Sequence, residues 1–175
     1  MLVTVKQKDF AALNDSSLIW TCIEPTIRQV QGKKFLVKSE AYAQLTIGQR
    51  ALFMFQVLYG HTSKGVEEFY SNLSYLLSNR DVWSQLKKGM EYFEDYDMLQ
   101  IVERMDLAYQ KVKTEVHEES LEQYYALAED ISKNAELYTS ISLLNKALSD
   151  TLSLTIKRVA AYIRNNTDEF VKFID

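Results

Sequence analysis

The sharpest pattern in the chain begins at Val66, after which apolar residues fall at Phe69, Tyr70, Leu73, Leu76 and Leu77. Those gaps of three and four residues trace one face of a helix. Just upstream, Ala51, Leu52, Phe53, Met54, Phe55, Val57, Leu58 and Tyr59 leave almost no polar side. A helix of that kind has to be covered nearly all round, so residues 49–59 are expected to form the buried centre of the fold. Thr46 with Gln49 three positions on has the form of a capping box, and Gly60 is the stop signal. Downstream, Asp81 is expected to cap a helix bearing Val82, Trp83, Leu86, Met90 and Phe93, with Asp95-Tyr96-Asp97 as the following turn. A sixth helix carries Met98, Ile101, Val102, Met105, Ala108, Tyr109 and Val112, its methionines read as core fillers. A seventh carries Leu121, Tyr124, Tyr125, Ala128 and Ile131 and ends at Ser132-Lys133-Asn134. From Leu137 to Ile163 the apolar spacing continues without interruption, and Ser149-Asp150 is the only break signal, so residues 136–164 form one helix or two. Asn165-Asn166-Thr167 then caps a last turn with Phe170, Phe173 and Ile174.

The first 45 residues are less regular. A short helix is expected near Asp9 to Leu13, and Ser16 or Ser17 can cap a segment with Leu18, Ile19, Cys22 and Ile23 on one face. Pro25 either opens a new helix or kinks the existing one before Gly32 closes it. Residues 33–45 stay open between extended and helical.

Composition agrees with long elements. The 175 residues include only 5 Gly and 1 Pro, against roughly 21 at average usage. Sandwiches, barrels and doubly wound sheets need more turns than that allows, so the expectation is a single all-α domain over residues 1–175, a bundle of seven or eight helices. The longest apolar run, Ala51 to Phe55, is far too short to span a bilayer, and residues 1–9 lack the apolar core of a signal peptide, which points to the cytoplasm. Cys22 is the only cysteine and sits among Leu18, Ile19 and Ile23, so it reads as a small buried hydrophobe.

Charge is uneven along the chain. Residues 1–90 hold 11 basic and 7 acidic side chains, residues 91–130 hold 3 and 12, and residues 131–175 hold 6 and 5. The acids of the middle stretch either solvate the outer faces of two or three helices and offset the basic first half, or set up a field that repels nucleic acid and attracts basic protein surfaces. Within it, Glu91-Tyr92-Phe93-Glu94-Asp95-Tyr96-Asp97 sets tyrosines among acids, a combination suited to protein recognition. The residues singled out for partner binding are Glu91, Tyr92, Glu94, Asp95, Tyr96, Asp97, Glu118, Glu119 and Glu122. Phe93 is assigned to the core. Catalytic signatures fail one after another: neither His61 nor His117 has the spacing of a helical metal site, and no pair of glycines builds a phosphate loop. His61 with Glu67 and Glu68 is the one constellation that supplies a base and two acids, and the preferred explanation is a surface turn histidine with two first-turn acids favoured by the helix dipole. The reading expects no catalytic residue, no metal and no cofactor.

Residues 45–72 and 160–170 bring in a resemblance. Gly48-Gln49-Arg50, the apolar helix Ala51 to Tyr59, then Ser63-Lys64-Gly65-Val66-Glu67-Glu68-Phe69-Tyr70-Ser71-Asn72 resemble a bacterial all-helical family that includes a DNA-mimic protein. That protein is an acidic dimer that binds a transcriptional repressor in place of operator DNA. Ala160-Ala161-Tyr162-Ile163-Arg164-Asn165-Asn166-Thr167-Asp168-Glu169-Phe170 is similar to the family's closing helix. The family's Asn-Gly-Gly-Phe turn becomes Ser63-Lys64-Gly65-Val66, with Gly65 retained as a tight corner. Arg50 and Asn72 are expected to tie helix ends by hydrogen bonds. The resemblance implies the fold and suggests a non-enzymatic module that engages a basic protein, a DNA-binding regulator or a toxin. It does so without binding nucleic acid or membrane, and a homodimer stays open. The alternatives are an enzyme of unknown reaction or a self-associating structural protein.

Overall fold

The computed structural model describes residues 2–61, 66–78, 80–116 and 133–175. Among them are eight α-helices: α1 (Gln7–Ala11), α2 (Asp15–Val30), α3 (Phe35–Ala43), α4 (Ile47–His61), α5 (Val66–Ser78), α6 (Arg80–Tyr92), α7 (Tyr96–Val116) and α8 (Ala135–Asn165). The chain is an all-α bundle, as its periodicity predicts. The seventh expected helix, with Leu121 and Ile131, lies outside the described residues, as does the Gly65 corner.

Two short strands depart from the expectation. β1 (Val3–Lys6) and β2 (Val171–Ile174) pair in parallel, with Val3 opposite Val171 and Lys6 opposite Ile174. The last turn expected after Asn166 is therefore a 3-10 turn, Thr167–Glu169, that leads into a strand. Phe170 and Val171 are buried, whereas Phe173 and Ile174 are exposed. Phe173 still meets Phe10 edge to face at 5.3 Å between ring centres. The short N-terminal helix lies at Gln7–Ala11 rather than Asp9 to Leu13, because β1 occupies the residues just before it.

α4 packs against α2, α5, α6 and the 3-10 turn, and its Ala51 to Phe55 and Leu58 are buried. Each large apolar side chain buried there contributes about 1.5–3 kcal/mol. Its ends are less enclosed than the pattern suggests: Ile47 and Tyr59 are exposed. α8 shares the central position. It runs unbroken for 31 residues, with Leu137, Ile141, Leu144, Leu148, Thr155, Val159, Ala160 and Ile163 buried against α2, α5 and α7. Gly89 lets α6 approach α4 closely, since a Cβ there would sit 3.2 Å from the Ala51 carbonyl oxygen.

Several local assignments differ from the sequence reading. Asn14, not Ser16 or Ser17, caps α2 by accepting from the Ser17 amide. Of the two alternatives at Pro25, the opening of a new helix is excluded, because α2 continues through it with the ring exposed. Residues 35–43 are helical. Cys22, by contrast, is buried as its apolar neighbours predict, and burial pushes its thiol up to about 12.

The corner between α3 and α4 explains the Gly48-Gln49-Arg50 motif. Thr46 and Gln49 form the expected capping box: the Gln49 amide donates to Thr46 Oγ1 at 3.1 Å and the Thr46 amide to Gln49 Oε1 at 3.2 Å. Arg50 reaches back to the last carbonyls of α3, donating to Tyr42 O at 3.2 Å and Ala43 O at 2.7 Å. Its guanidinium lies 5.6 Å from the centre of the Tyr42 ring. Gly48 leaves room for Glu169: its amide donates to Glu169 Oε2 at 3.2 Å, and a Cβ would come within 2.9 Å or less of Glu169, Phe170 and Tyr92.

The acidic joint between α6 and α7

The turn expected at Asp95-Tyr96-Asp97 lies two residues earlier, and its construction decides which acids face solvent. α6 ends in a Schellman motif: the Glu94 amide donates to Glu91 O at 2.9 Å and the Asp95 amide to Met90 O at 2.9 Å. This hydrogen-bond pattern requires a left-handed residue between them, and Glu94 occupies that position with φ 53°. Glycine fits such a site without strain, whereas an L side chain costs about 1–2 kcal/mol.

Asp95 then serves both helices. Its carbonyl accepts from the Leu99 amide at 2.9 Å and its Oδ1 from the Met98 amide at 3.2 Å, so it is the N-cap of α7. The carboxylate is fully buried and ion-paired with Arg158 of α8. The same guanidinium extends to Asp97 Oδ2 at 3.5 Å.

Tyr92 is half-buried. Its hydroxyl donates to Glu169 Oε2 at 2.7 Å, and its ring packs on Tyr162 at 5.0 Å and Phe93 at 5.4 Å. Burial first, then the hydrogen bonds with Tyr162 and Glu169, push the Tyr92 phenol well above its ordinary value. Glu169 also holds the start of α4 through Gly48, and Thr46 Oγ1 donates to its carbonyl at 3.1 Å. A single carboxylate thus links α4, α6 and the 3-10 turn.

The predicted partner-binding residues therefore separate into two groups. Glu91, Glu94, Tyr96 and Asp97 are exposed at one corner, and among the described residues Glu91 and Glu94 make no ion pair. Asp95 and Tyr92 lie behind them as supports. Glu118, Glu119 and Glu122 lie outside the described residues, as do His117, the side chain of His61 and that of Glu67; Glu68 is exposed. Phe93, Met98 and Met105 are buried, as their spacing predicts. Arg158 and Glu169 were not anticipated, because nothing local in sequence ties them to this turn. Leu107, exposed on α7, was detectable as the third-turn neighbour of Tyr96. Among the described residues no group of His, Cys, Asp and Glu could hold a metal, and no helix is long and apolar enough to cross a membrane.

Fold and joint together define an all-helical bundle protein with an acidic, tyrosine-bearing corner. The family model described as DMP19-like protein matches residues 43–166, well over half of the sequence, and the chain belongs to the DMP19-like family. No curated protein and no solved structure matches it. The matched region runs from the last residue of α3 to the end of α8, so it includes the α3–α4 corner and the whole α6–α7 joint.

Proposed function

We propose that the protein is a non-enzymatic binding module of the DNA-mimic kind, presenting the carboxylates of the α6–α7 joint to a basic surface on a DNA-binding regulator or a toxin. The family supports a protein partner that itself binds DNA. The observation that carries the reading is local: Glu91, Glu94 and Asp97 stand exposed on a corner whose backbone is fixed by the end of one helix and the start of the next. A backbone already held in place loses little freedom on binding, and the field of its carboxylates speeds encounter with a cationic partner. Tyr96 adds contact area, Asp95 and Tyr92 hold the corner, and Glu118, Glu119 and Glu122 belong to the same acidic stretch.

The test is capture of partners from a host extract at low and high salt. Retention should fall as the Debye length shrinks from about 10 Å at 0.1 M to about 3 Å at 1 M salt, and charge reversal of Glu91, Glu94 and Asp97 should abolish it. Capture that ignores ionic strength, or that survives the reversal, overturns the proposal.

A further inference from the structure

Charge alone leaves the outer face of α7 unexplained. Met98, Ile101, Val102 and Met105 point into the core, so the 3.6-residue repeat turns Tyr96, Gln100, Glu103 and Leu107 directly outward. A solvated helix ordinarily fills such positions with charged or amide side chains. Here Tyr96 is 60% exposed and Leu107 71% exposed. They stand three turns apart, about 16 Å along the helix. Glu103 and Gln100 lie between them, and Glu94 and Asp97 flank the Tyr96 end. Glu94 and Glu103 make no ion pair among the described residues, whereas Asp97 meets Arg158 at 3.5 Å; Arg104 is an exposed cation on the same helix, and among the described residues the three acids outnumber it.

The occupant has to satisfy both features. A second copy of the same face would set like charges against each other across a two-fold axis. An anionic membrane or a nucleic acid would be repelled by the carboxylates. A uniformly cationic surface would leave the leucine and tyrosine against lysine stems.

We propose that this face of α7 docks an amphipathic helix of a protein partner that is rich in lysine and arginine. Tyr96 and Leu107 seat against its apolar stripe, and Glu94, Asp97 and Glu103 face its cations. The proposal rests on the reading that the partner is basic and adds that recognition is anchored by two apolar side chains, which mimicry of a phosphate row does not require.

The test titrates the isotopically labelled full chain with a synthetic peptide of about 18 residues, apolar at helical spacing and otherwise Lys and Arg, as for a helix seated in a groove. A peptide of the same composition in scrambled order is the control. Expected are amide shifts clustered on residues 94–107, salt-dependent affinity, and binding at least tenfold weaker for the scrambled peptide. Tyr96→Ser and Leu107→Ser should each weaken binding about tenfold, with unchanged circular dichroism. Glu94→Gly should weaken it while the melting temperature rises, which separates recognition from folding. No binding, equal binding of the scrambled peptide, shifts elsewhere on the surface, or full affinity in the Tyr96→Ser, Leu107→Ser double variant overturns the proposal. If charge reversal at Glu91, Glu94 and Asp97 still abolishes salt-sensitive capture in that event, the acidic reading survives and only the apolar anchoring falls. If neither set of changes matters, both fall.

Discussion

Replacing Glu94 by glycine should make the protein more stable, although it removes a carboxylate from the acidic corner. Glu94 is the left-handed residue of the Schellman motif, with φ 53°. Relieving the Cβ contact of an L residue in that region recovers about 1–2 kcal/mol, and the greater freedom of glycine in the unfolded chain gives back about 0.5–1 kcal/mol. The charge contributes little to the difference, because Glu94 stands just past the negative end of α6 and just before the positive end of α7. The net expectation is a gain of about 1 kcal/mol, or a rise of about 2–4 °C in the melting temperature for a chain of this size. Urea unfolding followed by far-ultraviolet circular dichroism measures it. Glu94→Ala supplies the control, since alanine keeps the Cβ while losing the carboxylate, and its stability should stay near that of the parent. Equal stability of the Gly and Ala variants would refute the strain argument. A gain in both would assign the effect to charge instead.

Other perturbations have equally direct expectations. Gly48→Ala forces a Cβ against Glu169, Phe170 and Tyr92, and overpacking of this kind should cost about 2 kcal/mol, read as a lower urea midpoint. Arg158→Ala leaves the Asp95 carboxylate buried without its cation; about 3–5 kcal/mol is expected for a half-broken buried pair, and Asp95→Asn in the same background should recover part of it. Alkaline pH should also destabilise the fold. Burial raises the Cys22 thiol from 9.0 to about 12, and Tyr92 is likewise raised above 10.0. The unfolded chain releases these protons first, so stability is complete below about pH 9 and falls as pH rises through and beyond the unfolded values. Cys22→Ala should flatten that limb in unfolding curves recorded from pH 8 to about 11, and a slope unchanged by the substitution would exclude the thiol as its source.

What the sequence shows and what it conceals follows the range of the interactions. The capping box at Thr46 and Gln49 was legible because both partners lie within one helical turn, and the same holds for the buried face of α4, for Phe69, Tyr70 and Leu76 of α5 and for Met98, Ile101, Val102 and Met105 of α7. The strands were not: Val3–Lys6 and Val171–Ile174 are four residues each, too short for a distinctive alternation, and each acquires its partner only when opposite ends of the chain meet. The misplaced turn has a local cause. Glutamate carries no signal for a left-handed conformation, so the corner was assigned to the neighbouring aspartates, of which Asp95 is a helix cap with a buried ion pair to a residue 63 positions away. Acidity of the segment was therefore readable from the chain, but the division of its acids into exposed and structural ones required the fold.

That division bears on how an acidic corner can remain fixed. A flexible loop would let the exposed carboxylates take many arrangements. Here the backbone beneath them is locked from both sides. Asp95 closes α6 through its amide, opens α7 through its carbonyl and side chain, and is held to α8 by Arg158. Tyr92 and Glu169 fasten the preceding turn to the start of α4, which Gly48 brings within reach. Gly48 thus supports the acidic corner from behind, through Glu169 and Tyr92, without contributing a charge to it. Substitutions at Gly48 should consequently weaken partner binding only as far as they loosen the joint, whereas Glu94→Gly should weaken binding while raising stability. Measuring both quantities on both variants distinguishes a surface that is merely solvated from one whose strain is retained for recognition, because a solvated surface loses nothing when Glu94 becomes glycine.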